Sequence, residues 1–249
     1  MFTLVGYTES QDTSGNLTYV AALADQHVRV EADNIVVPAG MANLLGACAL
    51  GATLSRAQVE TPSMRRTLLL DLAGLNIGAE PVFPLAYHQG FYNPIPLDEF
   101  EPMRALVAET AEGAEREFVL VWLGDGPQAP VTGDIYTVRA TSTQTLVANA
   151  WTNGALALAQ TLPSGRYQVV GFHAVSAGLI AARLVFVGGT WRPGVIGADS
   201  QADGIPDLFR RGALGVWGEF AHDQPPTVDF LSVSADEAET VHLDLIKVA

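Results

Sequence analysis

The sequence predicts an all-β chain built as two tandem jelly rolls, each an eight-stranded β-sandwich, and three observations lead there. The first is an internal repeat. Pro38-Ala39-Gly40, followed by Leu44-Leu45-Gly46, Ala49 and Ala52, recurs as Pro163-Ser164-Gly165, Val169-Val170-Gly171, Ala174 and Ala177, an offset of 163 − 38 = 125 residues. Gly90-Phe91-Tyr92 matches Gly215-Val216-Trp217 at the same offset, and Pro102 with Leu106-Val107 matches Pro226 with Phe230-Leu231 at 226 − 102 = 124. Phe118-Val119-Leu120 matches Val241-His242-Leu243 at 241 − 118 = 123. Matches in one order with so little drift point to duplication of a domain-sized unit. The second observation is period-two alternation of apolar and polar residues. The third is the spacing of Gly and Pro clusters, which cuts the chain into many short segments.

Along the chain, Met41 to Ala57 is rich in Ala and Leu, and Phe100 to Glu117 carries Glu, Ala, Met and Arg, so each reads as a helix on intrinsic propensity. Their repeat partners overturn that reading. Tyr167 to Ala177 is β-branched and alternating, while Pro225-Pro226 opens the segment through Phe230 and disfavours a helix interior. Met103–Ala108 and Phe118–Leu123 are therefore expected to form a hairpin around Ala111-Glu112-Gly113-Ala114, with a short helix near residues 97–105 left open. Phe118 to Leu123 is apolar at every position, as suits a strand covered on both faces where two layers or two domains meet. Gly126-Pro127-Gln128-Ala129-Pro130 reads as the boundary between copies, giving a first roll at 1–126 and a second at 127–249.

In the second copy Tyr167, Val169 and Gly171 alternate, as do Val228 and Phe230, and Val241, Leu243 and Leu245. Gly188-Gly189, Pro193-Gly194, Gly204-Ile205-Pro206 and Gln224-Pro225-Pro226 separate these strands, and Ala235-Asp236-Glu237-Ala238 supplies the last turn. A unit of about 125 residues accommodates eight strands of ordinary length with short connections. Eight strands in two sheets make a jelly roll.

Composition narrows the function. With 49% hydrophobic residues the 249-residue chain can bury a large core. Its net charge of −14, with a single lysine at Lys247, disfavours direct contact with nucleic acid, because phosphate recognition needs clustered Lys and Arg. The uncharged run from Ile35 to Ser55 is long enough for a membrane span, but it contains Pro38 and Asn43, and its repeat partner holds Arg166, Gln168 and His173; no transmembrane span is expected. Met1-Phe2-Thr3-Leu4-Val5 lacks the basic and apolar regions of a secretory signal, so none is expected. Cys48 lies among small apolar residues and reads as a buried, inert thiol.

No nucleophile elbow, phosphate loop, zinc-protease motif or dinucleotide fingerprint is present, so no catalytic residue is assigned. His27, His88, His173, His222 and His242 are not spaced as local metal ligands and read as solvated surface histidines. Phe83, Tyr87, Phe91, Tyr92, Trp191, Trp217 and Phe220 suit core packing, with stacking on a sugar or partner as the alternative; Tyr92 and Trp217 hold matching places in the repeat. One loop resembles the aspartate-rich calcium repeats of thrombospondin type 3: Asp199-Ser200-Gln201-Ala202-Asp203-Gly204-Ile205-Pro206-Asp207, with Gln201 where that family has Asp. The resemblance makes Asp199, Asp203 and Asp207 candidate calcium ligands, since calcium takes six to eight oxygens; a solvated polar loop with an Asx turn is the alternative.

Two tandem jelly rolls in one acidic chain resemble the double jelly-roll major capsid proteins of tailless icosahedral viruses. The resemblance is one of architecture, carried by the repeat and the strand pattern. It implies rolls packed side by side, homotrimers of pseudo-hexagonal outline, and self-assembly into a shell that often surrounds an internal membrane. It further implies a virion protein made in the host cytoplasm, with minor capsid proteins as partners, no cofactor and no catalysis. The rival expectation is a non-catalytic β-sandwich binding module for a carbohydrate or a surface partner, stabilised by calcium at the 199–207 loop.

Overall fold

The computed structural model describes residues 1–10, 16–24, 27–51, 53–64, 68–69, 72–73, 88–109, 116–198, 207–235 and 239–248. The chain is all-β and forms two compact units, one of Phe2–Leu75 with Pro84–Pro127 and one containing Gln128–Ala249. In the first, the strands are β1 (Phe2–Ser10), β2 (Thr18–Ala22), β3 (Val30–Glu31), β4 (Asn34–Val36), β5 (Asn43–Leu50), β6 (Leu54–Glu60), β7 (Leu68–Leu69), β8 (Leu72–Ala73), β9 (Ile95–Pro96), β10 (Pro102–Glu109) and β11 (Arg116–Gly124). The second contains β12 (Tyr136–Ser142), β13 (Trp151–Gly154), β14 (Ala157–Leu158), β15 (Arg166–Val175), β16 (Leu179–Val185), β17 (Gly194–Ile196), β18 (Gly218–Ala221), β19 (Thr227–Ser232) and β20 (Glu239–Lys247).

Strand order identifies each unit as a jelly roll. The first unit has β1-β11-β5-β8 as one layer and β2-β10-β6-β7 as the other, with two residue pairs of β1 and β2 joining the layers at a corner. The second has β12-β20-β15-β18 and β13-β19-β16-β17. Setting aside β3, β4, β9 and β14, and keeping the two-residue β7 and β8, both units read first-eighth-third-sixth in one sheet and second-seventh-fourth-fifth in the other. That is the order two Greek keys produce. The one departure is β8, which runs parallel to β5.

Within the described residues the apparent helices are strands, as the repeat predicts, and residues 97–101 carry no helix before β10 begins. The expected hairpin of residues 103–108 and 118–123 is corrected by the pairing. β10 pairs with β2, β4 and β6, whereas β11 pairs with β1 and β5, so the two lie in opposite sheets. β19 and β20 are divided in the same way. No helix of the described residues is long and apolar enough to cross a membrane, and the uncharged run at 35–55 is spent on β4, a turn, β5 and the start of β6.

Inside the first unit, Val5 and Tyr7 of β1 lie opposite Val121 and Val119 of β11. Tyr7 Oη donates across the core to the Met103 carbonyl of β10 at 2.7 Å, and burial pushes its pKa far upward. In the second unit Val241, Leu243 and Leu245 meet Ala140, Val138 and Tyr136 on one side and Ala174, Phe172 and Val169 on the other. These alternate with Thr240, His242 and Asp244, which face outward.

Two β-bulges recur. Leu45 is the extra residue in β5 opposite Trp122 and Leu123, and Val170 is the extra residue in β15 opposite Asp244 and Leu245, an offset of 170 − 45 = 125. Ser55 bulges from β6 opposite Ala108 and Glu109, and Ile180 from β16 opposite Leu231 and Ser232, an offset of 180 − 55 = 125. The ladders also correct the alignment of the last two strands. Val119 faces Ala49 as Val241 faces Ala174, so the closing strands correspond at 241 − 119 = 122, one residue from the sequence match. Val107 faces Ala57 as Phe230 faces Ala182, an offset of 123 where the sequence match used 124.

After the first bulge each unit places a glycine, Gly46 or Gly171. A Cβ on Gly46 would lie 3.1 Å from the Phe91 ring, whereas on Gly171 it would lie 2.4 Å from an Asp244 oxygen and 2.8 Å from the Arg211 backbone nitrogen. A ring can shift by a few tenths of an ångström, but a backbone amide held by a carboxylate cannot shift without breaking that contact. Chemical denaturation should show Gly171→Ala to be destabilised by about 2–3 kcal/mol, in the range of overpacked sites, and Gly46→Ala by clearly less. Equal losses at the two positions would contradict this packing.

Candidate functional site

The candidate calcium ligands are not brought together within what the structure describes. Asp199 and Asp203 lie outside the described residues, and Asp207 opens a 3-10 turn, Asp207–Phe209, with its side chain likewise outside the description. Phe83 and Tyr87 also lie outside the described residues. Among the described residues no group of three or more His, Cys, Asp or Glu is placed to hold a metal ion.

The polar side chains that do converge lie on the outer sheet faces of the second unit. Asp244 occupies the position opposite the Gly171 bulge, and its side chain is fully buried. Arg210 grips the carboxylate with both prongs, Nε to Oδ2 at 2.7 Å and Nη2 to Oδ1 at 2.8 Å. Thr137 Oγ1 donates to Oδ1 at 2.6 Å, and the Arg211 amide donates to Oδ2 at 2.8 Å. Burial works to raise the Asp244 pKa, but these four donors prevail and hold it below the ordinary carboxylate value. The cluster fastens the segment after the 3-10 turn onto the sheet, helped by Gly212 N donating to the Val170 carbonyl at 2.6 Å.

A second cluster sits on β13, β16 and β19. Arg183 and Asp229 face each other across the ladder and are both buried, joined Nε to Oδ2 at 2.9 Å. Arg192 Nη1 reaches the same oxygen at 2.7 Å, and Asn153 Nδ2 donates to Oδ1 at 2.7 Å. The Trp151 ring covers the Arg183 guanidinium at 4.0 Å. Both carboxylates are thus held by guanidinium and amide donors, an arrangement suited to orienting loops rather than to moving protons.

Of the five histidines, His173 and His242 depart from the solvated expectation, and the side chain of His88 lies outside the described residues. His173 and His242 are paired across the β15–β20 ladder and stacked, ring centroids 5.6 Å apart, with His173 buried. Arg139 lies beside His242 on β12. Burial first, then the Arg210 and Arg139 charges, push the His242 pKa below its ordinary value. His27 Nε2 bonds Thr3 Oγ1 at 2.8 Å, and His222 is partly exposed beside Asp223. The stacked pair was not legible in the sequence, because residues 69 positions apart (242 − 173) meet only through the ladder.

The aromatic residues divide. Phe91 is buried against Phe2 at 5.9 Å and Trp122 at 6.2 Å, covering the outer face of β1-β11-β5. Trp217 packs on Phe172 and Phe209, and Phe220 stacks on Tyr167. Tyr92 is exposed whereas Trp217 is buried, so the matched pair of the repeat does not share an environment.

No protein-family model matches the sequence, and no curated protein matches it. Among solved structures the chain is similar to the major capsid protein P2 from bacteriophage PM2, at 13% identity and a TM-score of 0.28, over all of this chain and 98% of that one. A likeness that slight carries no argument; the all-β jelly-roll assignment rests on the strand order described above.

The two titrations act in one direction. An unfolded His242 takes up a proton near its ordinary pKa of 6.5, which the folded protein resists, so stability declines as pH falls below that value. Asp244 contributes stability that is complete above the unfolded carboxyl pKa of 3.8 and is lost as pH falls through the lower folded value. Acid titration of stability should therefore lose its upper step in His242→Gln. In Asp244→Asn it should lose its lower step, with about 2 kcal/mol less stability at neutral pH. A wild-type profile flat from pH 7 to 3 would contradict both assignments.

Proposed function

We propose that the chain is the structural tile of an icosahedral virus shell, a capsid protein that assembles with copies of itself. The observation that carries the reading is that one chain contains two rolls whose eight principal strands follow the same order. The recurring bulges at Leu45 and Val170, and at Ser55 and Ile180, support an origin of rolls 1–126 and 127–249 by duplication, since bulges are retained features rather than accidents of a sheet. A chain with two similar rolls makes six from three copies, so a homotrimer of pseudo-hexagonal outline is the natural repeating piece. Heterologous contacts that close after three copies and then repeat between trimers give a shell.

The composition fits. A net charge of −14 suits a tile that does not hold the genome directly, with a membrane or minor capsid proteins between the two. The buried Asp229 and Asp244 are engaged by arginines in fastening loops to sheet faces, which suits a structural role better than a reactive one. In this reading the protein is a virion component without catalytic activity.

Size-exclusion chromatography with light scattering tests this directly. Purified wild-type protein should elute with three times the mass of the chain, or as larger multiples, as concentration rises. A monomer that persists at high concentration would contradict the tile and favour a binding module.

A further inference from the structure

We infer that Phe100 is a contact anchor by which one copy of this chain grips the next, an inference that rests on the tile reading. Phe100 is 65% exposed, and its backbone has φ = 65°, a left-handed conformation that bulky residues rarely adopt. An aromatic side chain facing water from a strained backbone adds nothing evident to its own fold. Such strain persists only where the surroundings over-determine it, and it concentrates at functional positions.

The surroundings here do over-determine it. Phe100 N donates to the Val37 carbonyl at 2.9 Å, and Val37 N donates to the Glu101 carbonyl at 2.9 Å. The buried Glu101 carboxylate accepts from Ser63 N at 2.8 Å, from Ser63 Oγ, and from Asp98 N at 3.2 Å. Glu99 Oε1 accepts from Gly40 N at 2.7 Å. Three connections, those before β5, after β6 and before β10, are thereby locked into one platform with the ring at its surface. A ring held in place before contact loses little entropy on binding, which is what makes a rigid aromatic an effective anchor.

The flanking charges indicate the occupant. Asp98 and Glu99, the two residues before Phe100, are both exposed, which disfavours an anionic lipid surface or a nucleic acid. Two such tips would also repel each other across a two-fold axis. The contact must then be heterologous, with the ring packing on a different surface of the next copy, and exposed guanidinium groups at Arg56, Arg139 and Arg211 supply complementary charge on the same chain. Heterologous contacts are the kind that build rings and lattices.

Phe100→Gly separates this role from a structural one, because glycine adopts the left-handed backbone without strain. Thermal unfolding and concentration-dependent light scattering should be measured together on wild type, Phe100→Gly and Phe100→Tyr. The expected result is a Tm for Phe100→Gly equal to or above wild type, with assembly requiring about tenfold or more higher concentration, as for loss of an anchor residue. Phe100→Tyr should assemble nearly as wild type. Phe100→Gly that assembles at the wild-type concentration, or that loses assembly together with a lowered Tm, would overturn the inference while leaving the tile reading standing. A wild-type chain that never assembles would overturn both.

Discussion

Each roll depends on where its last strand lies. β11 lies between β1 and β5, and β20 between β12 and β15, so each sheet is completed only when the end of a unit returns to its beginning. Trp122 meets Gly46 and Asp244 meets Gly171, pairings between residues 76 and 73 positions apart (122 − 46 and 244 − 171). The loop entropy of such long-range pairing must be offset by burial along the whole strand. β11 meets that demand with a run that is buried from Glu117 to Gly124.

Once the central strand is in place, the outer face of its sheet needs a cover, and the two units solve this differently. Opposite its bulge the first unit presents Trp122, plugged by Phe91; full burial of such a ring is worth about 2–3 kcal/mol. The second unit presents Asp244 and covers it with Arg210 and the Arg211 amide. A buried ion pair adds little net stability over an apolar pair, because desolvation offsets the attraction. What it adds is direction, since a two-pronged guanidinium accepts one geometry. The same reasoning applies to Arg183 and Asp229, where Trp151 and Arg192 complete the shell. Asp229 and Asp244, each with its arginine partners, act as fasteners.

The all-β class, the strand segments and the repeat were legible because alternation and turn chemistry are local signals. Comparing copies resolved segments such as 41–57 that propensity alone assigns to a helix. Pairing was less legible. The link from 108 to 116 reads as a hairpin because adjacent strands commonly pair, yet in a jelly roll this link crosses between sheets. The one-residue slip in the closing strands has a related cause: β11 is apolar on both faces, so hydrophobicity does not reveal which residues point inward, and only the ladder fixes the phase. Sites were least legible. His173 meets His242 through register across strands, Arg210 reaches Asp244 from a loop, and Phe100 stands out only through a backbone angle and an exposed ring.

The central claim is that the chain is a building block that assembles with copies of itself. Negative-stain electron microscopy of the concentrated wild-type protein tests that claim most directly. It predicts particles of hexagonal outline made of three chains, or closed shells tiled by them. Fields of isolated monomers at every concentration would contradict it.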